Sequence, residues 1–260
     1  MQQQLTLARQ AAQEAGQRLL ELLGKATVHH KGVSHNLVTQ ADLESEEIIF
    51  GRLHDAFPDH RFLREEGEST GTAEDDHLWV IDPLDATNNY AHGIPHFSIS
   101  IAYAEKGVVK LGVVYDPCRN EFFTALRGQG AFRNDQPIRV SERESLSQSM
   151  VGTGFYYDRG RTMTQTLSAI GHLFSLHIHG IRRMGSAAID LSWVACGRFD
   201  AFFEYILAPW DYAAGSLLIH EAGGQCTDRT GAPLTLRSES IIASNRKLSG
   251  EFLDAIRWNG

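Results

Sequence analysis

A chain of 260 residues with 42% hydrophobic composition can bury a full-sized core, which excludes a disordered protein and a small disulfide-stapled scaffold. Asp and Glu outnumber Lys and Arg by 32 to 24, giving a formal net charge of −8, so a protein dedicated to binding nucleic acid is disfavoured. The acidity is either a general solubility feature or a sign of carboxylates gathered at one cation site, and the positions of the acids decide between the two.

The N-terminal part of the sequence predicts two helices. Apolar residues between Leu5 and Leu23 recur at steps of three and four, which is typical of an amphipathic helix that ends near Gly24. A second helix is predicted from Asp42 to Phe57, where a proline follows. Because the first segment has no basic head, no unbroken apolar stretch and no small-residue cleavage site, the sequence supports neither a secretory signal nor a membrane anchor.

The middle of the chain predicts a sheet. Short runs rich in β-branched and aromatic residues occupy residues 77–81, 97–103, 108–115 and 121–124. The joints between the last three runs are short, so these strands should be antiparallel neighbours.

After the polar stretch 141–149, helices and strands alternate. The predicted elements are a helix at 187–195, a strand at 200–203, a helix at 211–221, a strand at 241–242 and a terminal helix. We therefore expect a layered α+β protein. The polar stretch separates an N-terminal half, residues 1–145, from a C-terminal half, residues 146–260, within one compact unit.

The segment from Trp79 to Tyr90 carries the strongest chemical signal. A hydrophobic strand runs into Asp82, and Pro83 fits the first position of a new helix, where its missing N–H has no helical partner. Asp85 lies near the same opening, and the amides of Ala86 and Thr87 can point outwards to receive an anion. The alternative is purely structural, with Asp82 as a helix cap and Asp85 as a first-turn acid.

Acids in three other segments favour the functional alternative. Glu65 ends a short apolar run, and Asp42 and Asp211 each begin a helix. Oxygen ligands from Glu65, Asp82, Asp85 and Asp211 suit Mg²⁺ or Mn²⁺ and suit zinc badly. If these acids converge in a buried place they repel one another, so their convergence requires a cation.

These residues, and essentially the whole chain, resemble the inositol monophosphatase family. This family belongs to a wider superfamily of Mg²⁺-dependent, Li⁺-sensitive phosphatases that includes fructose-1,6-bisphosphatase. Four ordered motifs carry the resemblance: an acid pair at Glu65 and Glu66, the signature D-P-I/L-D-G-T-x-N at residues 82–89, the G-S/T-A-A segment at 185–188, and W-D at 210–211 followed by E-A-G-G at 221–224. The resemblance implies a layered α/β/α/β/α sandwich and a catalytic centre with two to three Mg²⁺ ions, for which Mn²⁺ can substitute.

The resemblance also implies the ligands of each ion. One Mg²⁺ would bind Glu65, Asp82 and the backbone carbonyl of Leu84. A second would bind Asp82, Asp85 and Asp211, and a third, weaker ion would lie near Glu65.

Catalytic and substrate-binding roles follow by the same resemblance. Asp42 and Thr87, together with Glu65, would position and help to deprotonate the attacking water, and the amides of Ala86 and Thr87 would bind the phosphate. The remaining substrate contacts would come from Asp85, Gly185, Ser186, Ala187 and Glu204.

The resemblance implies a phosphomonoesterase acting on a small polyol phosphate, most readily inositol 1-phosphate, with histidinol phosphate and fructose 1,6-bisphosphate as alternatives. A regulatory binding protein that keeps the fold is the alternative of another class. We expect no nucleic acid or membrane as partner, and the family implies a homodimer.

Two further positions bear on the function. Ala86 stands where the family motif has Gly, and it would be strained if the backbone there has a positive φ. Lys31 either contacts the metal-bound water or is merely solvated.

Three cysteines, Cys118, Cys196 and Cys226, cannot all pair within one chain, which favours a reducing, cytoplasmic location.

Overall fold

A computed structural model describes residues 1–25, 28–30 and 37–257 of the chain. The helices of these residues are α1 (Gln2–Leu22), α2 (Gln40–Ala56), α3 (Thr87–Ala91), α4 (Arg161–Ser175), α5 (Ala187–Ala195), α6 (Pro209–Glu221) and α7 (Ser249–Ala255). The strands are β1 (Val28–His30), β2 (Leu37–Thr39), β3 (Arg61–Arg64), β4 (Leu78–Asp85), β5 (Ser98–Glu105), β6 (Val108–Asp116), β7 (Glu121–Leu126), β8 (Ala131–Arg133), β9 (Gln136–Ile138), β10 (Met150–Thr153), β11 (Gly180–Arg182), β12 (Ala201–Glu204), β13 (Gly224–Thr227) and β14 (Ile241–Asn245).

Strands β3 to β9 form a seven-stranded sheet in chain order. The pairs β5–β6 and β6–β7 are antiparallel, which confirms the prediction from their short joints. Strand β3 instead runs parallel to β4, with Arg64 opposite Ile81. The carboxyl ends of these two strands therefore meet at one edge of the sheet, and the residues that follow them lie side by side.

The second large sheet has five strands in the order β11-β10-β12-β14-β13. It is mixed, because β10 runs parallel to both β11 and β12 whereas β14 is antiparallel to β12. The proposed division of the chain between residues 145 and 146 falls between the two large sheets.

Three apolar clusters bind these elements into layers. Alternate residues of β4 point to opposite faces of the sheet, as its geometry requires: Trp79 and Ile81 pack with α1 and α2, and Leu78 and Val80 pack with α5 and α6. Residues of the five-stranded sheet cover the other side of α5 and α6, and a third cluster joins this sheet to α4 and α7. The α/β/α/β/α sandwich is therefore confirmed.

The predicted elements are present with small shifts of their ends. Helix α2 begins two residues before its predicted start at Asp42, because Thr39 caps it by accepting a hydrogen bond from the amide of Ala41 at 3.1 Å. The sequence reasoning missed α4 and β10, and α4 has no side-chain cap to mark its start. None of the helices in the described part of the chain has the length and apolarity of a membrane span.

Candidate active site

Three carboxylates from distant parts of the chain converge at the carboxyl end of β4. Asp82 and Asp85 belong to that strand, and Asp211 lies in the first turn of α6. Each offers an oxygen atom, and these three atoms lie within 4.8 Å of one another. Asp82 is only 1% exposed and Asp85 only 7%. The sequence predicted this convergence, and the structure brings the three side chains together.

A bulge in β4 makes the convergence of the first two acids possible. Residues three apart in a regular strand point to opposite faces, but the pairing of β4 with β5 shifts its register between Asp82 and Asp85. Pro83 lies inside this irregular stretch, and its carbonyl accepts a hydrogen bond from Ser45 Oγ at 2.7 Å. The prediction that Pro83 begins a helix was wrong: a bulge accommodates its missing N–H equally well, and α3 begins only at Thr87.

Hydrogen bonds hold each of the three carboxylates in one orientation. Asp85 Oδ2 accepts from Ser186 Oγ at 2.6 Å and from the amide of Ala188 at 2.7 Å. Asp82 Oδ1 accepts from the amide of Leu84 at 3.0 Å. Asp211 Oδ2 accepts from the amide of residue 208 at 2.7 Å, which also caps α6. Backbone groups and a buried hydroxyl thus fix the acids before any ligand arrives.

The electrostatics of this cluster favour a bound cation. Burial raises the pKa of Asp85 to about 6, although hydrogen bonds from Ser186 and Ala188 oppose the rise. Burial, and then the charges of Glu65, Asp85 and Asp211, raise the pKa of Asp82 well above its ordinary value. The pKa of Asp211 is raised by burial and by Asp85 and Glu65. Because all the donors are oxygens, the chemistry of the set fits Mg²⁺ or Mn²⁺.

Glu65 is a fourth acid beside this cluster. It follows β3, whose parallel pairing with β4 brings it beside Asp82, and the amide of Glu65 donates to the carbonyl of Ile81 at 3.3 Å. Its side chain lines the cleft. The backbone amide of the second acid of the pair, Glu66, donates to Glu46 Oε1 in α2 at 3.0 Å.

Asp42 and Thr87 form a buried pair behind the acids. Thr87 Oγ1 lies 2.8 Å from Asp42 Oδ1 and 3.1 Å from the carbonyl oxygen of Leu84. The other oxygen of Asp42 accepts from the amide and hydroxyl of Thr39 at 2.7 and 2.6 Å. When Thr87 donates its single proton to Asp42, the lone pairs of the Thr87 oxygen remain available as acceptors.

Ala86 takes the left-handed conformation that the sequence analysis identified as a source of strain. Its φ and ψ are 78° and 47°, at the turn that joins β4 to α3. An L-residue other than glycine adopts this region at a cost of about 1–2 kcal/mol. The strain therefore lies directly between Asp85 and Thr87, at the position where the motif of the resembling family has glycine.

The cleft has a volume of about 130 Å³ and extends past these residues to β12. Gly185, Ala187 and Glu204 line it, as do Leu84, Ala86 and Thr87. Ser186 is fully buried and reaches Asp85 instead, with Ser98 Oγ 2.9 Å from its own Oγ. Lys31 lies outside the described residues.

Gly154 also lines the cleft, as do Tyr157, Arg183 and Asp190, which sequence reasoning missed. Gly154 is required because Glu204 crosses its backbone so closely that a Cβ atom there would overlap the carboxylate. Asp190 had a detectable signal, since it is the one acid in the otherwise uncharged segment 187–195. An acid on a buried apolar helix needs a reason to be there.

A family model, sequence relatives and a solved structure each match nearly the whole chain. The family model described as the inositol monophosphatase family matches residues 1–259. The protein named Nus factor SuhB of Pseudomonas aeruginosa is 43% identical over 265 residues, covering 99% of this chain and 97% of that protein. The inositol-1-monophosphatase of Rhizobium meliloti is 42% identical over 255 residues, covering 95% of this chain and 94% of that protein. The crystal structure of the extragenic suppressor protein suhB from Bartonella henselae superposes with a TM-score of 0.92 at 40% identity, covering 98% of both chains.

Proposed function

Because this chain belongs to the inositol monophosphatase family, we propose that it is a Mg²⁺-dependent phosphomonoesterase that hydrolyses a small polyol phosphate, with inositol 1-phosphate as the first candidate. The observation that carries the proposal is the convergence of Asp82, Asp85 and Asp211 within 4.8 Å at a buried position. In their ionised forms these acids repel one another, and a bound cation removes that repulsion.

The ligands of the metal ions are proposed from the same cluster. Glu65, Asp82 and the carbonyl of Leu84 would hold one Mg²⁺, and Asp82, Asp85 and Asp211 a second, with a third, weaker ion near Glu65. When bound, the ions would lower the pKa of water and neutralise charge that develops on the phosphoryl group.

The protein's own residues would supply the proton handling. The 2.8 Å contact between Thr87 Oγ1 and Asp42 Oδ1 supports a relay in which Asp42 fixes the Thr87 hydroxyl as an acceptor. Thr87 and Glu65 would then orient a water molecule and withdraw its proton as it attacks phosphorus. No covalent phosphoenzyme is needed in this scheme.

Substrate binding is proposed along the remainder of the cleft. The amides of Ala86 and Thr87 would donate hydrogen bonds to the phosphate at the turn after β4. Hydroxyl groups of the alcohol would contact Asp85, the segment from Gly185 to Ala187, and Glu204. All of these residues except Ser186 line the cleft, which supports the assignment.

A second candidate function comes from the names of the relatives. Several of them are named Nus factor SuhB, which favours an additional or alternative role as a regulatory binding protein. The full set of acids in this chain supports catalysis. We further infer a homodimer, inhibition by millimolar Li⁺ and a cytoplasmic location, the last supported by three cysteines that form no disulfide.

The proposal is tested by measuring phosphate release from inositol 1-phosphate, histidinol phosphate and fructose 1,6-bisphosphate, with Mg²⁺ and with a chelator. We expect turnover only with Mg²⁺ and the highest kcat/KM for inositol 1-phosphate. A lack of Mg²⁺-dependent phosphate release from all three compounds would reject the enzyme and favour the binding protein. A higher kcat/KM for either alternative would reassign the substrate.

A further inference from the structure

The acids of the cleft fall into two groups. Asp82, Asp85 and Asp211 each accept hydrogen bonds of 2.6–3.0 Å from the protein itself. Asp190 and Glu204, which also line the cleft, accept none from the residues that the structure describes. The first group is already held in place, whereas the second group faces the cleft without donors.

Asp190 is the more unusual of the two unpartnered acids. It is 1% exposed, it lines the cleft beside Glu204, and its Oδ1 atom has no hydrogen-bond partner within the described parts of the chain. Buried polar atoms are almost always hydrogen-bonded, so an exception at a binding cleft needs a donor that the folded chain does not provide.

A structural role does not account for this side chain. Asp190 is the fourth residue of α5, and the start of that helix is already capped by Ser186, whose Oγ accepts from the amide of Ile189 at 3.2 Å. The exposed Arg183 also lines the cleft and its charge acts on Asp190, but no hydrogen bond joins the two side chains among the described residues. The missing donor is therefore most simply a group of the ligand.

We propose that Asp190 is a specificity-determining residue that accepts a hydrogen bond from a hydroxyl of the polyol leaving group, beside the hydroxyl that Glu204 binds. The inference rests on the proposed phosphatase function and deepens it. Two carboxyl groups side by side match two neighbouring hydroxyls, each of which can donate one hydrogen bond. Hydroxyl groups are the hydrogen-bond donors that the leaving group of a polyol phosphate offers.

The test compares two substrates on the Mg²⁺-loaded enzyme. One is inositol 1-phosphate, and the other is 4-nitrophenyl phosphate, whose leaving group has no further hydroxyl. In Asp190→Ala we expect kcat/KM for inositol 1-phosphate to fall about 10- to 100-fold, the usual effect of leaving a buried hydroxyl of the substrate without its hydrogen-bond partner. For 4-nitrophenyl phosphate we expect a change of less than about 2-fold. Asp190→Asn keeps one acceptor oxygen, so its kcat/KM for inositol 1-phosphate should lie between the values of the wild type and Asp190→Ala.

Asp200→Ala is the matched control. Asp200 is 3% exposed, and its carboxylate accepts from the amide of Met150 at 2.7 Å, at the end of β12 opposite to Glu204. This variant should leave the ratio of the two kcat/KM values unchanged. Because both substrates are measured on one sample, a loss of folded protein lowers both rates and leaves the ratio intact.

The outcomes separate the inference from the proposed function. An inactive wild type would reject the proposed function. If the wild type is active but Asp190→Ala has the same ratio of kcat/KM values for the two substrates, including after an equal loss for both, the proposed role of Asp190 is overturned. A selective loss with an aminoalkyl phosphate rather than with the polyol phosphate would overturn the assignment to a hydroxyl.

Discussion

The effect of Asp82→Asn on the stability of the protein should change sign when Mg²⁺ is added. Asp82 lies at the centre of the acidic cluster, and burial and three neighbouring acids raise its pKa. The amide removes one of the repelling charges while keeping an oxygen to accept from the amide of Leu84. We therefore expect the metal-free variant to be more stable than the metal-free wild type, and the Mg²⁺-loaded variant to be less stable than the Mg²⁺-loaded wild type.

The size of both effects can be worked from the site. The pKa of Asp85 rises from 3.8 to about 6, a difference that corresponds to about 3 kcal/mol against its ionised form at neutral pH. Asp82 is buried beside Asp85 and bears a similar cost of ionisation, to which the charges of Glu65, Asp85 and Asp211 add. We therefore expect the uncharged amide to raise the free energy of unfolding without metal by about 1–3 kcal/mol. Mg²⁺ at a hundred times its Kd stabilises the wild type by about 2.7 kcal/mol. For a protein of this size that gain raises Tm by about 5–10 °C.

The assay is thermal unfolding at neutral pH with EDTA and with Mg²⁺, followed by a turnover measurement. Turnover of Asp82→Asn should fall to background, because a proposed bridging ligand is lost. Asp200→Asn serves as the control: this buried acid lies outside the cleft, so its variant should show the full Mg²⁺-dependent rise in Tm. A wild-type rise in Tm for Asp82→Asn, or a loss of stability in EDTA, would refute the reasoning.

Three further predictions concern the neighbouring residues. Burial raises the pKa of Glu204 to about 8, so its folded form binds a proton more tightly than its unfolded form; the stability it contributes is present below pH 4.5 and lost as pH rises through 8. We therefore expect the free energy of unfolding of metal-free Glu204→Gln, measured in urea, to increase relative to that of the wild type as the pH rises from 5 to 8.5. A difference between the two proteins that does not change with pH would contradict this. Ala86→Gly should stabilise the protein by about 0.5–1 kcal/mol, because relief of the left-handed strain exceeds the entropy that glycine adds to the unfolded chain. The control Ala169→Gly, in α4, should destabilise the protein by about 1 kcal/mol in the same urea experiment. Thr87→Ala and Asp42→Asn should each lower kcat about 100-fold or more with little change in KM, and the double variant should be no slower than the worse single one; additive losses would show that the two residues do not act as a unit.

The sequence predicted those features that depend on local pattern. The apolar repeat of α1, the short joints of β5 to β7 and the acids at the starts of α2 and α6 all appear where expected. These features depend on periodicity, turn length and helix capping, which a few neighbouring residues determine.

The features that the sequence could not supply depend on tertiary contacts. Whether Pro83 begins a helix or lies in a bulge is decided by Ser45 and by pairing with β5, and both partners are remote in the chain. Asp190 could be recognised as an acid on an apolar helix, but only the fold places it beside Glu204 in the cleft. The strand register around Pro83 and the tertiary position of Asp190 are therefore the features of the site that local sequence pattern could not supply.

Several destabilising features lie together between Asp82 and Thr87, and the fold supports this segment from both sides. All eight residues of β4 are buried, with α1 and α2 against one face and α6 against the other. A segment with repelling acids, a bulge at Pro83 and a left-handed Ala86 persists only where surrounding packing determines its conformation. Because a bound cation would remove the repulsion but not the strain at Ala86, the two contributions are separable: Mg²⁺ should not alter the stabilising effect of Ala86→Gly, whereas it should abolish that of Asp82→Asn.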